Sequence, residues 1–130
     1  MISHLDHLVL TVKSIDDSVR FYTDVLGMEK EVFGEGRVAL KFDSQKINLH
    51  QQGKEFEPKA QAQTPGSADL CFITHLPIEE ALEQVSDKGV MIIEGIVPRT
   101  GATGPIQSFY FRDPDNNLIE ISSYSVESGR

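Results

Sequence analysis

The chain has 130 residues, of which 39% are hydrophobic and 25% are charged, and this composition is typical of one ordinary globular domain. The formal net charge of -8 disfavours nucleic acid and anionic membranes as partners, because both are bound through clustered lysine and arginine. No basic-then-apolar leader is visible and no apolar run approaches the ~18 residues of a membrane span, so a cytoplasmic protein is expected.

The first elements in chain order form a βαβββ pattern. Polar and apolar residues alternate over residues 5–12, which predicts a strand with His7 on one face. Ser14 and Asp17 form a capping-box pattern that opens a helix over 15–26, and Gly27 ends it. Three short strands are then predicted at 28–33, 37–42 and 46–51, with turns between them. Together these elements make a first unit over about 4–52.

The pattern is predicted to occur twice. Residues 53–67 contain two prolines, two glycines and mostly polar or small residues, so this segment is predicted to be a linker rather than a packed element. The second unit, over about 68–124, has a strand at 68–74, a helix that begins at Pro77 and ends before Gly89, and strands near 90–97, 107–111 and 118–124.

The offset between the two units supports a repeat. Gly27 and Gly89 are 62 residues apart, and so are His7 and Asp69. The predicted fold is therefore α+β, with tandem βαβββ units.

Four residues with side chains that commonly bind metal lie on otherwise apolar strands: His7, His50, Asp69 and Glu120. An unpaired carboxylate in such a strand would be costly to bury. Two imidazoles with one or two carboxylates match the donors of zinc, nickel, manganese and non-haem iron(II) sites. For any one of these residues, the alternative is a hydrogen-bonded structural side chain or one that faces solvent. Asn48 faces the same way as His50.

Two other features invite interpretation. Cys71 lies in an apolar run, which predicts a buried and inert thiol. The glycine-rich segment 98–105 lacks the Gly-Lys-Ser/Thr ending of a phosphate-binding loop. We expect it either to cover the mouth of a cavity, with Arg99 binding an anionic substrate group, or to be a plain surface loop.

Several motifs together resemble one family. They are Leu-Asp-His-Leu-Val-Leu-Thr-Val at 5–12, Ser-Val-Arg-Phe-Tyr at 18–22, Val-Leu-Gly-Met at 25–28 and Phe-Tyr-Phe-Arg-Asp-Pro-Asp-Asn-Asn-Leu-Ile-Glu at 109–120. The chain from residue 2 to about 124 thereby resembles the vicinal-oxygen-chelate (VOC) superfamily of glyoxalase I, fosfomycin-resistance proteins, methylmalonyl-CoA epimerase and extradiol dioxygenases. Segments 46–50, 55–59 and 98–102 are similar to its glyoxalase domain-containing protein 5 branch, which includes bacterial members labelled virulence proteins.

The resemblance implies that the two units form a curved mixed sheet around a metal cavity, and it also implies metal ligands. The family's first ligand falls on His7 and its last on Glu120, with His50 as a further ligand and Asn48 as the alternative in register. Asp69 replaces a histidine of glyoxalase I and would either bind the metal or act as a base. Thr11 replaces the arginine that binds the glutathione carboxylate, which argues against lactoylglutathione lyase activity itself.

The resemblance also implies a function. We expect a glyoxalase I-like lyase or isomerase in which a divalent metal chelates two neighbouring oxygens of a small substrate, while Asp69 or Glu120 moves the proton. The alternatives are an iron(II) extradiol-type dioxygenase and a metal-free protein that binds or sequesters a small molecule. We further expect a homodimer, because two such units leave strand edges and an apolar face exposed.

Overall fold

The computed structural model describes residues 1–124 and divides into two compact units, one spanning Met1–Ala68 and one starting at Asp69. Each unit has the predicted βαβββ order. The elements are β1 (His7–Val12), α1 (Ile15–Leu26), β2 (Glu29–Phe33), β3 (Arg37–Phe42), β4 (Gln45–Gln51), β5 (Asp69–Ile73), α2 (Ile78–Asp87), β6 (Glu94–Thr100), β7 (Pro105–Arg112) and β8 (Leu118–Ser123).

The sheet of unit one has the strand order β1-β4-β3-β2, in which β1 runs parallel to β4 and the other pairs are antiparallel. Helix α1 begins as predicted, with the Ser14 hydroxyl accepting the Asp17 N–H, and it ends at Gly27 in the left-handed conformation. One face of the sheet is apolar and contributes to the core, whose buried members include Leu10, Val12, Tyr22, Leu40, Ile47 and Leu49.

The sheet of unit two repeats this arrangement with the order β5-β8-β7-β6. Helix α2 begins after Pro77 and ends at Asp87. The apolar core of unit two includes Ile78, Ala81, Val85, Phe109, Phe111, Ile119 and Ile121. Neither helix in residues 1–124 has the length and apolar composition that crossing a membrane requires.

The sixth strand differs from its prediction. Residues 90–97 were expected to form it because they include four consecutive apolar residues, yet β6 spans Glu94–Thr100. Pairing with β7 begins only near Ile93, whose N–H donates to the Tyr110 carbonyl at 2.9 Å. Met91 is strongly exposed. The apolar run at 90–93 resembles a strand in sequence, but it precedes the residues that pair with β7.

The segment 53–67, expected to be a linker rather than a packed element, packs against the sheet of unit one. The ring of Phe56 lies 4.6 Å from the Arg37 guanidinium and 5.5 Å from the His50 ring, measured between centres. The Glu55 carboxylate accepts the Gly53 N–H at 3.1 Å, and the Ser67 hydroxyl donates to the Thr64 carbonyl. These contacts hold a turn-rich segment in place without a helix or strand.

Cys71 is exposed, which corrects the prediction of a buried thiol. The strand alternates, so Leu70 and Phe72 are the more buried residues, whereas Cys71 lies on the other face. The thiol still lies 3.2 Å from the Ser122 hydroxyl, and partial shielding from water raises its pKa. Cys71 is therefore mostly protonated at neutral pH, which limits its reactivity.

Candidate functional site

Unit one gathers most of its candidate residues on one face of its sheet. In the parallel pairing of β1 with β4, Val9 lies opposite Asn48 and Thr11 lies opposite His50. Since alternate residues of a strand share a face, His7 points to the same side as these four. We call this set the polar face of unit one; it comprises His7, Val9, Thr11, Arg37, Lys46, Asn48 and His50.

The strand register separates His7 from His50. His7 lies opposite Lys46, and His50 follows four residues later on β4, which corresponds to about 13 Å along the strand. Side chains stand roughly perpendicular to a sheet, and metal–nitrogen bonds are about 2 Å long, so one ion is out of reach of both rings. Asn48 is two residues nearer to His7. The register thus argues for Asn48, the alternative of the sequence analysis, as the neighbour of His7.

His7 is oriented as a ligand would be. Its Nδ1 lies 2.8 Å from a carboxylate oxygen of Asp6, and this hydrogen bond lowers the pKa of Asp6. A carboxylate on one ring nitrogen fixes the ring and leaves the other nitrogen, Nε2, to bind a metal. Asp6 therefore belongs with His7, although no periodic pattern in the sequence indicated it.

Asn48 carries an unsatisfied buried oxygen. The residue is 7% exposed, and its Oδ1 has no hydrogen-bond partner within residues 1–124. Such an atom costs about 1–3 kcal/mol when it is left unpaired. An amide oxygen is also a ligand for hard divalent cations. This orphaned oxygen beside His7 is consistent with a metal ion.

His50 is 3% exposed and has two different ring nitrogens. Its Nε2 lies 3.4 Å from the Arg37 guanidinium, which can only donate, so Nε2 accepts and the proton of the neutral ring is on Nδ1. Burial, followed by the charge of Arg37, lowers the pKa of His50 and favours this neutral form, against a smaller opposite effect of Glu55. Nδ1 has no hydrogen-bond partner in the described part of the chain.

A pocket of about 290 Å³ lies against the polar face of unit one. Its walls come partly from the sheet and partly from the segment 53–67. The lining residues are Val9, Thr11, His50, Pro58, Lys59, Ala60 and Gln63. The segment thus converts one end of an open sheet face into a cavity.

Unit two has a corresponding polar face, on which the side chains bond to one another. Glu120 lies opposite Cys71 on β5 and opposite Tyr110 on β7. The Ser122 hydroxyl donates to Glu120 Oε2 at 3.2 Å and lies 2.7 Å from the Ser108 hydroxyl. Asp69 lies opposite Leu118 and is exposed. Glu120 is therefore held by its neighbours, whereas Asp69 is open to solvent.

Arg99 lies on β6 rather than in a loop. Residues 98–100 pair with 105–107, and the Gly101 N–H donates to the Gly104 carbonyl at 2.8 Å, so the segment 98–105 is a hairpin. The Nε of Arg99 donates to the Tyr110 hydroxyl at 2.9 Å, and its guanidinium lies 3.8 Å from Glu94. Burial raises the pKa of Tyr110, with the Arg99 bond opposing it. The sequence analysis missed Tyr110, which the alternation around Glu120 could have indicated.

The two registers can be compared position by position. In unit one Asn48 lies opposite Val9, two residues after His7; in unit two Glu120 lies opposite Cys71, two residues after Asp69. Asn48 is therefore the positional counterpart of Glu120. Within either unit of residues 1–124, no three histidine, cysteine, aspartate or glutamate side chains come close enough together to hold a metal ion. The donor types fit a divalent metal: His7 and Asn48 in unit one, and Asp69 and Glu120 in unit two.

Comparison with known proteins establishes the family to which the chain belongs. Residues 4–121 match the model of the Glyoxalase/Bleomycin resistance protein/Dioxygenase superfamily, and the chain belongs to this superfamily. The match covers both βαβββ units and so confirms the resemblance found in the sequence.

Individual relatives are similar over most of the chain. Virulence protein STM3117 of Salmonella typhimurium is 58% identical over 95% of this chain and 86% of its own length. Glyoxalase domain-containing protein RDO1 of Mycosarcoma maydis is 59% identical over 92% of this chain and 68% of its own. The solved structure of V. cholerae integron cassette protein VCH_CASS1 is 63% identical, covers 96% of this chain and 98% of that one, and gives a TM-score of 0.95.

The chain is also similar to more distant proteins. Metallothiol transferase FosB of Staphylococcus epidermidis is 25% identical over 98% of this chain and 88% of its own length. Lactoylglutathione lyase from Agrobacterium tumefaciens has a TM-score of 0.74 at 20% identity, over 98% of each chain, which shows a common fold.

Proposed function

We propose that the protein is a divalent-metal-dependent enzyme, a glyoxalase I-like lyase or isomerase that acts on a small substrate with two neighbouring oxygens. The observation that carries this proposal is that the His7 imidazole, bonded to Asp6, lies on the same sheet face as the Asn48 oxygen, which has no partner within residues 1–124. Membership of the superfamily and the similarity to a protein named metallothiol transferase support it.

The proposed roles follow from each side chain's surroundings. His7 would hold the metal through Nε2 and Asn48 through Oδ1. The family resemblance of the sequence adds Glu120, whose carboxylate Ser122 steadies, as a further ligand. Asp69 is exposed on its strand and is proposed to accept or return a substrate proton. When bound, the metal would polarise a substrate carbonyl and make the neighbouring proton more acidic. Arg99, already bonded to Tyr110, offers its remaining donors to an anionic substrate group.

Metal analysis tests this proposal. Protein purified without an affinity tag is analysed for zinc, nickel, manganese and iron, both directly and after reloading with each ion. We expect near-stoichiometric metal in the wild type and at least a tenfold loss of affinity in His7→Ala and Glu120→Gln. His75→Ala, a change at an exposed histidine outside every helix and strand, is the matched control and should keep its metal. Equal metal content in all four proteins would overturn the proposal.

Activity distinguishes the enzymatic alternatives. The metal-loaded protein is given the hemithioacetal of methylglyoxal and glutathione, and separately a panel of catechols under oxygen. Isomerisation supports the proposal, although Thr11 predicts poor use of glutathione. Oxygen uptake with catechols in the iron(II) form alone would support an extradiol-type dioxygenase instead.

A metal-free binding protein is the second candidate, and the pocket of unit one favours it. Ligand binding that is identical in the wild type and in His7→Ala, without bound metal in either, would support this reading. We also propose, from the sequence, that the protein is a cytoplasmic homodimer. Light scattering should then give about twice the chain mass of 14.5 kDa.

A further inference from the structure

We infer that the pocket of unit one binds a small monocarboxylate, one oxygen of which accepts a hydrogen bond from His50. This inference goes beyond the proposed metal chemistry, because the pocket and its polar groups are complete without a metal. It assigns His50 a role in binding a ligand.

The His50 ring has one nitrogen that is bonded within the protein and one that is not. Arg37 occupies Nε2 and can only donate to it, so the ring presents a donor at Nδ1. That donor is buried and has no partner within residues 1–124, and His50 lines the pocket. Buried donors in native proteins are nearly always paired, so a ligand acceptor in the pocket is the natural partner.

The neighbouring charge makes His50 unsuitable for a cation. The guanidinium of Arg37 lies against the ring, with its central carbon 4.6 Å from the centre of the Phe56 ring on the same side of the sheet. A metal ion on His50 would be repelled by this fixed positive charge. An anionic acceptor is attracted by it.

The pocket lining determines the class of ligand. Lys59 is the cation among the lining residues and is paired with Glu57, and no lining residue carries a carboxylate. Thr11 and Gln63 are the other polar lining residues besides His50, and Gln63 bonds to Glu55. The remaining lining residues, Val9, Pro58 and Ala60, suit a short apolar body. At protein packing density, 290 Å³ accommodates a molecule of roughly ten to fifteen non-hydrogen atoms. A monocarboxylate with a short apolar body matches this lining.

NMR titration tests the inference on the full chain. The probe is 4-fluorobenzoate, with the neutral 4-fluorobenzamide as its analogue, added to ¹⁵N-labelled protein as purified and again after treatment with EDTA. We expect the benzoate to shift the His50 ring nitrogens and the amides of residues 58–63, and to bind at least tenfold more tightly than the benzamide. Binding should survive EDTA. Loss of binding with EDTA would mean that the metal holds the carboxylate, which would overturn the inference but not the proposed function.

Substitutions complete the test. His50→Phe removes the donor and should weaken benzoate binding at least tenfold, while Lys59→Met should weaken it about three- to fivefold. Lys54→Met removes an exposed lysine of the same segment that does not line the pocket, and it should leave affinity unchanged. If His50→Phe does not fold, the Lys59 and Lys54 variants and the wild-type ring shifts decide. Unchanged affinity in Lys59→Met together with unshifted His50 nitrogens would overturn the inference.

Discussion

The two units share one order of elements and one register, yet their polar faces are satisfied in different ways. In unit two, Ser122 contacts Cys71, Ser108 and Glu120, so the polar atoms bond to one another. In unit one, Arg37 and His50 stand at the positions that Ser108 and Ser122 occupy in unit two. Within residues 1–124, the contact between Arg37 and His50 leaves His50 Nδ1 without a partner, and Oδ1 of the nearby Asn48 has none either.

This difference indicates that the two polar faces have different roles. A polar network that closes on itself contributes rigidity and has no unmet hydrogen bonds to offer. A face with orphaned donors and acceptors beside a cavity is unfavourable by itself and gains free energy when a ligand arrives. Unit one is therefore the better candidate for recognition, and unit two the better candidate for holding its carboxylate, Glu120, in a fixed position.

The turns between the last two strands of each unit should differ most in stability. In unit two, Asp113 is 4% exposed and its carboxylate accepts both backbone N–H groups of Asp115 and Asn117 at 2.9 Å. Asp113→Ala should lower the free energy of unfolding by about 3–4 kcal/mol, because buried donors lose a charged acceptor. In unit one, Asp43 is an exposed turn residue with φ of 52°.

Asp43→Asn is the matched control, since asparagine also tolerates the left-handed conformation, and it should change stability by less than about 0.5 kcal/mol. Urea unfolding of both variants measures the difference. Similar losses of stability in the two variants would show that the Asp113 carboxylate does not make the turn of unit two more stable than that of unit one.

Substitutions on the two polar faces should change the free energy of unfolding in opposite directions. Ser122→Ala removes a fully buried hydroxyl with three partners and should cost about 1–2 kcal/mol. Asn48→Val removes an oxygen that has no partner in residues 1–124, so it should raise the stability of metal-free protein by up to about 1 kcal/mol. Thermal or urea unfolding after EDTA treatment tests the signs. A clear loss of stability in Asn48→Val would mean that its amide is already satisfied.

The smallest expected effect is a pH dependence that arises in unit one. Folding lowers the pKa of His50 from 6.5, chiefly by burial and then by Arg37, with Glu55 opposing. Below about pH 6.5 the unfolded chain therefore binds a proton that the folded chain does not, and stability falls as the pH falls. Wild-type protein should lose more stability between pH 7.5 and 5.5 than His50→Phe does. Denaturant titrations at both pH values measure this, and parallel losses would contradict it.

Much of the fold could be predicted because its signals are local. Helix α1 was predicted to the residue, since Ser14 and Gly27 mark its ends chemically. Strand β6 was misplaced because apolar residues near 90–93 resemble a strand whether or not a partner lies beside them. Cys71 was misjudged for the same reason: an apolar neighbourhood in sequence does not show which face of a strand is covered.

The candidate site was less predictable because it depends on register. Alternation placed Asn48 and His50 on one face, and only the pairing of His7 with Lys46 reveals which of them is nearer to His7. Phe56, which packs on Arg37, comes from a segment whose composition suggested a linker. Such contacts form because an irregular segment folds back onto the sheet, and a single sequence has no periodic pattern that predicts this.

The construction of the pocket has a consequence for how the protein can diversify. Four of its seven lining residues lie between 58 and 63, outside every helix and strand. Substitutions there alter the size and charge of the cavity without breaking a ladder hydrogen bond or opening the apolar core. This part of the lining is thus separate from the strands of the apolar core, which contribute Val9, Thr11 and His50 to the pocket. Substitutions in this short segment should therefore change ligand preference with little loss of folding stability.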